Sequence, residues 1–135
     1  MMRVVADVGG TNSRLALSQS GAVIVETIRS YANDDWDDFA AVLTDFLSVV
    51  GVKPSEMVVA VAGPVNSGVA KLTNRNWTFY ADTLADEFGL SCVSLLNDLT
   101  ALGYAAPTLN AEQLAHLSGD TAALAGSYQA LVVGI

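Results

Sequence analysis

The chain has 135 residues, of which 52% are hydrophobic and 15% are charged. This composition excludes a disordered chain and predicts a substantial apolar core, either in one domain or in a piece of a larger protein. Fourteen acidic residues against six basic residues give a net charge of −8, which argues against nucleic acid or an anionic membrane as a partner. The sequence has neither an apolar run long enough for a membrane helix nor a signal-like start, so we expect a cytoplasmic protein.

The basic residues are unevenly distributed along the chain. Arg75 is the last of them, and residues 76–135 carry none. If the protein handles phosphate, backbone N–H groups and a divalent metal must therefore supply most of the binding. The single cysteine, Cys92, cannot form an internal disulfide, and its apolar neighbours in sequence predict a buried, inert thiol.

The first three predicted elements are strands. Residues 3–8, 14–19 and 22–28 are rich in β-branched residues with partial alternation, and short Gly-Gly-Thr-Asn and Ser-Gly connections separate them. Connections this short predict that the three strands are antiparallel neighbours.

Residues 35–50 change to a helical period. Apolar side chains recur there at three- and four-residue steps, as on one face of a helix, and they are Trp36, Phe39, Ala40, Leu43, Phe46, Leu47 and Val50. We expect Asn33 and Asp34 to cap the start of this helix and Gly51 to end it. The aspartates at 35, 37 and 38 suit the positive end of the helix dipole, an interpretation that we prefer to a metal site.

The rest of the chain alternates between strands and helices. Apolar runs predict buried strands at residues 57–63 and 92–97, and a further strand at 130–135. The predicted helices span residues 82–88, closed by Gly89, and 98–106. Another short helix is expected after a capping box of Asn110 and Gln113. This order predicts an α/β fold, with helices packed on a mixed sheet.

The stretch Asp7-Val8-Gly9-Gly10-Thr11-Asn12 joins the first two strands. Its glycines let the backbone approach a ligand and adopt positive φ, so that successive N–H groups can converge on an anion. Thr11 and Asn12 add side-chain donors, and Asp7 could hold Mg²⁺ through water. No lysine and no helix follows, so the P-loop and the dinucleotide fingerprint are both excluded. The same residues equally allow a glycine hairpin turn with an incidental aspartate.

A second candidate site is the strand-to-helix junction at Asn97 and Asp98. Ligands usually bind at the carboxyl ends of strands in α/β sheets. Asp98 could accept a proton from a substrate hydroxyl there, and Asn97 could orient that substrate. Aspartate is also a favoured helix N-cap, which by itself is the simpler interpretation of Asp98. The two roles are compatible.

Three further features are weaker indications. Residues 72–77 place four polar side chains beside Trp77, a combination found in sugar sites and in ordinary loops. Residues 62–65 form a strand end and turn, where Gly63 could let a ligand approach. His116 is the only histidine, which excludes a histidine-rich metal cluster and favours a surface position on a short helix.

Taken in order, DVGGTNSRLAL, VAVAGPV, LTNRNW and LLNDLTALGYA resemble the N-terminal half of the bacterial glucokinases. These are ATP:glucose 6-phosphotransferases of the sugar kinase/actin/Hsp70 superfamily. The resemblance covers the whole chain and implies a ribonuclease H-like α/β fold. It also implies that residues 1–106 form the small lobe of a two-lobe kinase, and that residues 107–135 begin a truncated large lobe.

The resemblance implies a role for each candidate site residue. The implied ATP-binding residues are Asp7, Gly9, Gly10, Thr11 and Asn12, with Asp7 facing Mg²⁺ through water. The implied glucose-binding residues are Asn97, which would bind ring hydroxyls, and Asp98, which would be the catalytic base for the 6-hydroxyl.

The implied reaction is the ATP-dependent phosphorylation of D-glucose to glucose 6-phosphate, and we expect the isolated 135-residue chain to be inactive. Its expected partners are glucose and ATP, with a homodimer or the missing C-terminal lobe as the macromolecular partner. Two alternatives stay open. One is a kinase of another hexose or amino sugar in the same superfamily, and the other is a non-catalytic module that binds a sugar or a nucleotide.

Overall fold

The computed structural model describes residues 2–98. Four predictions lie outside these residues, namely the helix continuing from Asp98, the capping box at Asn110 and Gln113, the position of His116 and the strand at 130–135. In the described part of the chain, no helix is long and apolar enough to cross a membrane.

The described residues form eight strands and two α-helices, and these build a mixed α/β structure. In chain order they are β1 (Met2–Val8), β2 (Asn12–Gln19), β3 (Ala22–Ala32), α1 (Phe39–Val50), β4 (Glu56–Val61), β5 (Val65–Asn66), β6 (Val69–Lys71), β7 (Thr78–Tyr80), α2 (Ala81–Phe88) and β8 (Cys92–Asn97). The main sheet has the order β3-β2-β1-β4-β8. The predicted antiparallel pairing of the first three strands is confirmed, and β4 and β8 extend the sheet parallel to β1.

Strand β3 continues beyond its predicted end at residue 28, to Ala32. The alternating pattern does not show this because a bulge interrupts the pairing of β3 with β2. The pairing of β2 with β3 shifts register between Leu15 and Leu17. At the bulge the Thr27 hydroxyl accepts a hydrogen bond from the Leu17 N–H at 2.8 Å and donates one to the Ile24 carbonyl at 2.6 Å. The side chain thus replaces a backbone partner, and the strand continues to Ala32.

The first helix begins later than predicted. Asp38, and neither Asn33 nor Asp34, is the N-cap of α1, and its carboxylate accepts a hydrogen bond from the Ala41 N–H at 2.8 Å. Asn33 and Asp34 belong instead to a short 3-10 turn, Asn33–Asp35. The predicted ends are confirmed, since Gly51 closes α1 and Gly89 closes α2, both in the left-handed conformation.

Helix α1 supplies much of the apolar core beneath the sheet. Its fully buried residues, Val42, Leu43 and Phe46, belong to one cluster with fully buried side chains of the central strands, among them Val4, Val8, Val59 and Val61. Phe39 of α1 also contacts Phe79 of β7, with ring centroids 5.1 Å apart. The helix therefore packs against both sheets.

Two sequence-based expectations about burial and loops are wrong. The Cys92 thiol is exposed, and β8 is buried mainly at Leu95 and not along its length. Residues 62–77 contain strands β5 and β6 of a small antiparallel sheet, which the sequence analysis missed. These strands have only two or three residues each, too few for a period of two to be visible in the sequence.

Candidate functional site

The two candidate motifs lie at the same edge of the main sheet. The parallel register places Val8, Val61 and Asn97 in one row across β1, β4 and β8. The loop at residues 9–12 follows the first of these strands, and Asp98 follows the last. Because neighbouring strands are about 4.8 Å apart, the two motifs start about 10 Å from each other. This separation is short enough for one bound substrate pair to contact both.

The carbonyl oxygens of the loop at residues 9–12 accept hydrogen bonds from the protein. Asn33 holds two of them, the Gly9 oxygen through Nδ2 at 2.8 Å and the Thr11 oxygen through its backbone N–H at 2.8 Å. The Asn12 oxygen accepts from the Gly9 N–H at 2.9 Å, and the Gly10 oxygen accepts a longer bond of 3.5 Å from Arg75 Nε. The loop is therefore held from its carbonyl side.

The N–H groups of the same loop are oriented differently. Those of Gly10 and Thr11 have no acceptor within residues 2–98. Two adjacent N–H groups of this kind on a closed hairpin can receive an anion.

The glycines of this loop do not have the positive φ that the sequence analysis expects. Neither Gly9 nor Gly10 is in the left-handed region. A Cβ on Gly9 would lie 3.5 Å from the Asn12 oxygen, and one on Gly10 would lie 3.4 Å from Asn74, both ordinary contacts. Neither backbone conformation nor packing among the described residues requires glycine here, which leaves close approach of a ligand as a reason for it.

Asp7 is the carboxylate nearest to the loop along β1. It is exposed, and it is paired across the strands with Arg14, with which it lines an open depression on the sheet. No group of three or more His, Cys, Asp or Glu side chains within residues 2–98 could hold a metal. A single carboxylate still fits Mg²⁺, because this ion keeps several of its waters and commonly takes one or two carboxylates together with substrate phosphates.

Asn97 and Asp98 lie side by side at the end of β8, and both are half-buried. The Asn97 side chain donates from Nδ2 to the Gly63 oxygen at 2.7 Å, so the turn after β4 fixes the direction of the amide. Asp98 is the first helical residue after the strand, which puts its carboxylate at the helix start predicted from the sequence.

The segment at residues 72–77 contacts the loop at residues 9–12. The Asn74 side chain lies against Gly10, and Arg75 forms an ion pair with Asp34 while its guanidinium lies 5.5 Å from the centre of the Trp77 ring. The Trp77 indole is buried, and its N–H donates to the backbone carbonyl oxygen of Asp37 at 3.1 Å. Within residues 2–98 these contacts make the segment a support for the loop.

Comparison with known proteins gives the site a family context. The glucokinase family model matches residues 4–134. The chain belongs to the glucokinase family. A glucokinase from Chromobacterium violaceum is 36% identical over 118 residues, which are 87% of this chain and 34% of that protein. The chain therefore spans about a third of the length of this curated glucokinase.

Solved structures agree on the fold. The crystal structure of a glucokinase from an Antarctic psychrotroph superposes with a TM-score of 0.74 at 32% identity, covering 83% of this chain and 37% of that one. A putative N-acetylmannosamine kinase from Listeria monocytogenes superposes with a TM-score of 0.59 at 23% identity, covering 78% of this chain and 38% of the other. The second likeness shows the fold alone, so the fold does not by itself select the sugar.

Sequence reasoning missed the residues that support the candidate site of this glucokinase-family chain. The sequence pattern predicts a helix cap at Asn33 and a point of ligand approach at Gly63, and it counts Arg75 among the polar side chains beside Trp77. A Cβ on Gly63 would lie 1.8 Å from the Lys71 oxygen, so the absence of a side chain there serves packing. The signal for Asn33 is the pairing of β2 with β3, which sets Asn12 opposite Ala32 and so brings the next residue to the loop.

Proposed function

We propose that this chain is the N-terminal part of an enzyme that transfers a phosphoryl group from ATP to the 6-hydroxyl of D-glucose. The observation that carries the proposal is the row of Val8, Val61 and Asn97, which brings a loop suited to phosphate and a carboxylate suited to proton transfer to one sheet edge. In this proposal residues 1–106 form the small lobe and residues 107–135 begin the large lobe, and both lobes are needed for turnover.

The loop at residues 9–12 would receive the phosphates of ATP. Its Gly10 and Thr11 N–H groups have no acceptor in the described part of the chain, and the Thr11 and Asn12 side chains are exposed beside them. Asp7 would hold Mg²⁺ through water, and the bound ion would neutralise charge on the phosphates. Backbone N–H groups and a metal ion would thus bind the phosphates without a lysine in residues 7–12. This is sufficient in principle because phosphoryl transfer depends mainly on positioning and electrostatic stabilisation.

Asp98 would be the catalytic base, accepting the proton of the glucose 6-hydroxyl as that oxygen attacks the terminal phosphorus. Asn97 would bind ring hydroxyls of the sugar, and its hydrogen bond to the Gly63 oxygen supports this role because it fixes the amide before the sugar arrives. An amide and a carboxylate on consecutive residues can bind and activate neighbouring hydroxyls of one sugar.

The finer description of the fold is also part of the proposal. Three antiparallel strands followed by two parallel ones, in the order β3-β2-β1-β4-β8, support a ribonuclease H-like sheet. The proposed partners are glucose and ATP, with a C-terminal lobe or a second copy completing the site. Because ATP is the proposed donor, we place the reaction in the cytoplasm.

The test is an assay of glucose 6-phosphate formation, with ATP and Mg²⁺, by the polypeptide encoded by the complete reading frame. Sequencing the source DNA past codon 135 establishes where that frame ends. We expect phosphorylation of glucose in preference to other hexoses and to N-acetylmannosamine. Faster turnover of another sugar would replace glucose as the substrate, and saturable binding of sugar or ATP without turnover would favour a binding module.

A further inference from the structure

Asn33 is a buried polar residue at the back of the loop at residues 9–12. Its relative exposure is 0%, as is that of Ser13 beside it. The amide donates from Nδ2 to the Gly9 oxygen at 2.8 Å and accepts from the Ser13 hydroxyl at 2.6 Å through Oδ1. Burial of an amide is costly unless its polar atoms are bonded, and here a donor and an acceptor of the amide are both used.

The chemistry of the neighbours fixes which way the amide faces. The Gly9 carbonyl oxygen can only accept, so the NH₂ end of Asn33 must face it. The Ser13 hydroxyl then donates to the oxygen end. The amide is therefore held in one orientation, with Nδ2 on the Gly9 oxygen and Oδ1 on the Ser13 hydroxyl. An apolar side chain of the same size could make neither hydrogen bond.

Holding a carbonyl oxygen also aims the next N–H group. In a planar trans peptide the C=O of one residue and the N–H of the following residue point in opposite directions. The bond from Asn33 to the Gly9 oxygen therefore directs the Gly10 N–H away from Asn33. The bond from the Asn33 backbone to the Thr11 oxygen constrains the next-but-one peptide in the same way.

We propose that Asn33 is a positioning residue that aims the Gly10 N–H of the loop at the phosphates of ATP. This inference rests on the proposed function, and it assigns a role within that site to a residue outside the glycine motif. Asn33 does not cap α1, because that helix begins at Phe39 with Asp38 as its cap. Its side chain is hydrogen-bonded instead to Gly9 and Ser13.

The direct test is the Asn33→Asp variant in the product of the complete reading frame. The two side chains have nearly the same shape, but a carboxylate has no N–H and repels the Gly9 oxygen. We expect the KM for ATP to rise about tenfold, the size expected when a buried hydrogen bond is lost and its acceptor is left unpaired. The KM for glucose should stay within about twofold, since the change acts at the loop.

Two further variants make the result specific. Asn66→Asp introduces the same charge on the exposed strand β5, and we expect it to leave both KM values unchanged. Ser13→Ala removes the hydroxyl that orients the amide without adding a charge, and we expect a smaller rise in the KM for ATP, about threefold. This second variant keeps the proposal testable if Asn33→Asp does not fold.

The outcomes separate this inference from the proposed function. An unchanged KM for ATP in a folded Asn33→Asp or Ser13→Ala variant, with an active parent, overturns the positioning role alone. If the parent makes no sugar phosphate, the proposed function fails, and the ¹⁵N–¹H resonance of Gly10 in the 135-residue chain becomes the readout. Movement of that resonance in both variants but not in Asn66→Asp supports the aiming of the N–H group, and its constancy overturns it.

Discussion

Asn97 at the end of β8 donates a hydrogen bond of 2.7 Å to the carbonyl oxygen of Gly63, which follows β4. Gly63 is itself held, because its Cα faces the Lys71 carbonyl so closely that no side chain fits. The Thr73 N–H donates to the neighbouring Ala62 oxygen at 3.2 Å. The small sheet and the segment after it therefore determine where the proposed sugar-binding amide points.

This packing predicts a large effect of Gly63→Ala on stability. The added Cβ would lie 1.8 Å from the Lys71 oxygen and 2.9 Å from its carbonyl carbon, so backbone must move. We expect the free energy of unfolding to fall by about 1–3 kcal/mol, the usual cost of overpacking. Urea unfolding of the 135-residue chain measures it, and a loss below about 0.5 kcal/mol would show that the turn adapts.

Gly10→Ala is the matched variant with the opposite expectation. Its Cβ would meet Asn74 at 3.4 Å, and its backbone is outside the left-handed region, so stability should change by less than about 0.5 kcal/mol. The methyl group would nevertheless sit on the carbon next to the N–H that is proposed to receive phosphate, so it would hinder close approach of the anion. We expect the KM for ATP of the complete enzyme to rise at least about tenfold. A stable variant with normal ATP kinetics would contradict the assignment of the loop.

The corrected start of α1 makes a prediction about two aspartates. Asp38→Ala removes the carboxylate that accepts from the Ala41 N–H, and should lower the free energy of unfolding by about 1 kcal/mol. Asp34→Ala removes only an exposed ion pair with Arg75, and should cost less than about 0.5 kcal/mol. Thermal or urea unfolding of the two variants measures both losses of stability. A larger loss in Asp34→Ala than in Asp38→Ala would favour the cap predicted from the sequence.

Tyr31 predicts a loss of stability in strong alkali. Burial, with help from the hydrogen bond that its hydroxyl donates to Asp45 at 3.0 Å, raises the pKa of Tyr31 from 10.0 to about 12. A raised pKa means that the folded state holds the proton more tightly than the unfolded state. The resulting stabilisation is complete below pH 10, and it is lost as the pH rises from 10 towards about 12.

The measurement for Tyr31 is urea unfolding at pH 9 and above pH 11. The stability advantage of the parent over Tyr31→Phe should shrink across this interval by up to about 2 kcal/mol. Tyr80→Phe is the control for removing a phenol hydroxyl, because Tyr80 is exposed. An advantage that stays constant for Tyr31→Phe would show that the phenol does not titrate differently in the two states.

The regular elements were predictable because each carries a local pattern. The three strands with short turns, the apolar face of α1 and the glycines at 51 and 89 specify pairing, packing and helix ends within a few residues of sequence. The start of α1 was not predictable, since Asn33, Asp34 and Asp38 are all suitable caps. Tertiary contacts choose between them, because Asn33 is bonded to Gly9 and Ser13.

The candidate site divides in the same way. The sequence alone could suggest Gly9, Gly10, Asn97 and Asp98 as candidates. Glycines at a strand end let a ligand approach the backbone, and an amide or a carboxylate there can bind a ligand directly. The roles of Asn33 and Gly63 could not be predicted in this way, since they depend on carbonyl groups that other segments bring to them. The sequence also overstates the need for positive φ at Gly9 and Gly10, because a glycine pair does not reveal which of its properties is used.

The central claim is that Asp98 takes a proton from a sugar hydroxyl bound beside a phosphate loop. The most direct measurement compares Asp98→Asn with Asp86→Asn, which changes an exposed aspartate of α2, in the product of the complete reading frame. Asparagine has nearly the same size and shape as aspartate at this first helical position, so the fold and the affinity for glucose should be retained. We predict that kcat falls about 100- to 10,000-fold in Asp98→Asn only. A kcat that stays near that of the Asp86→Asn control would contradict the account.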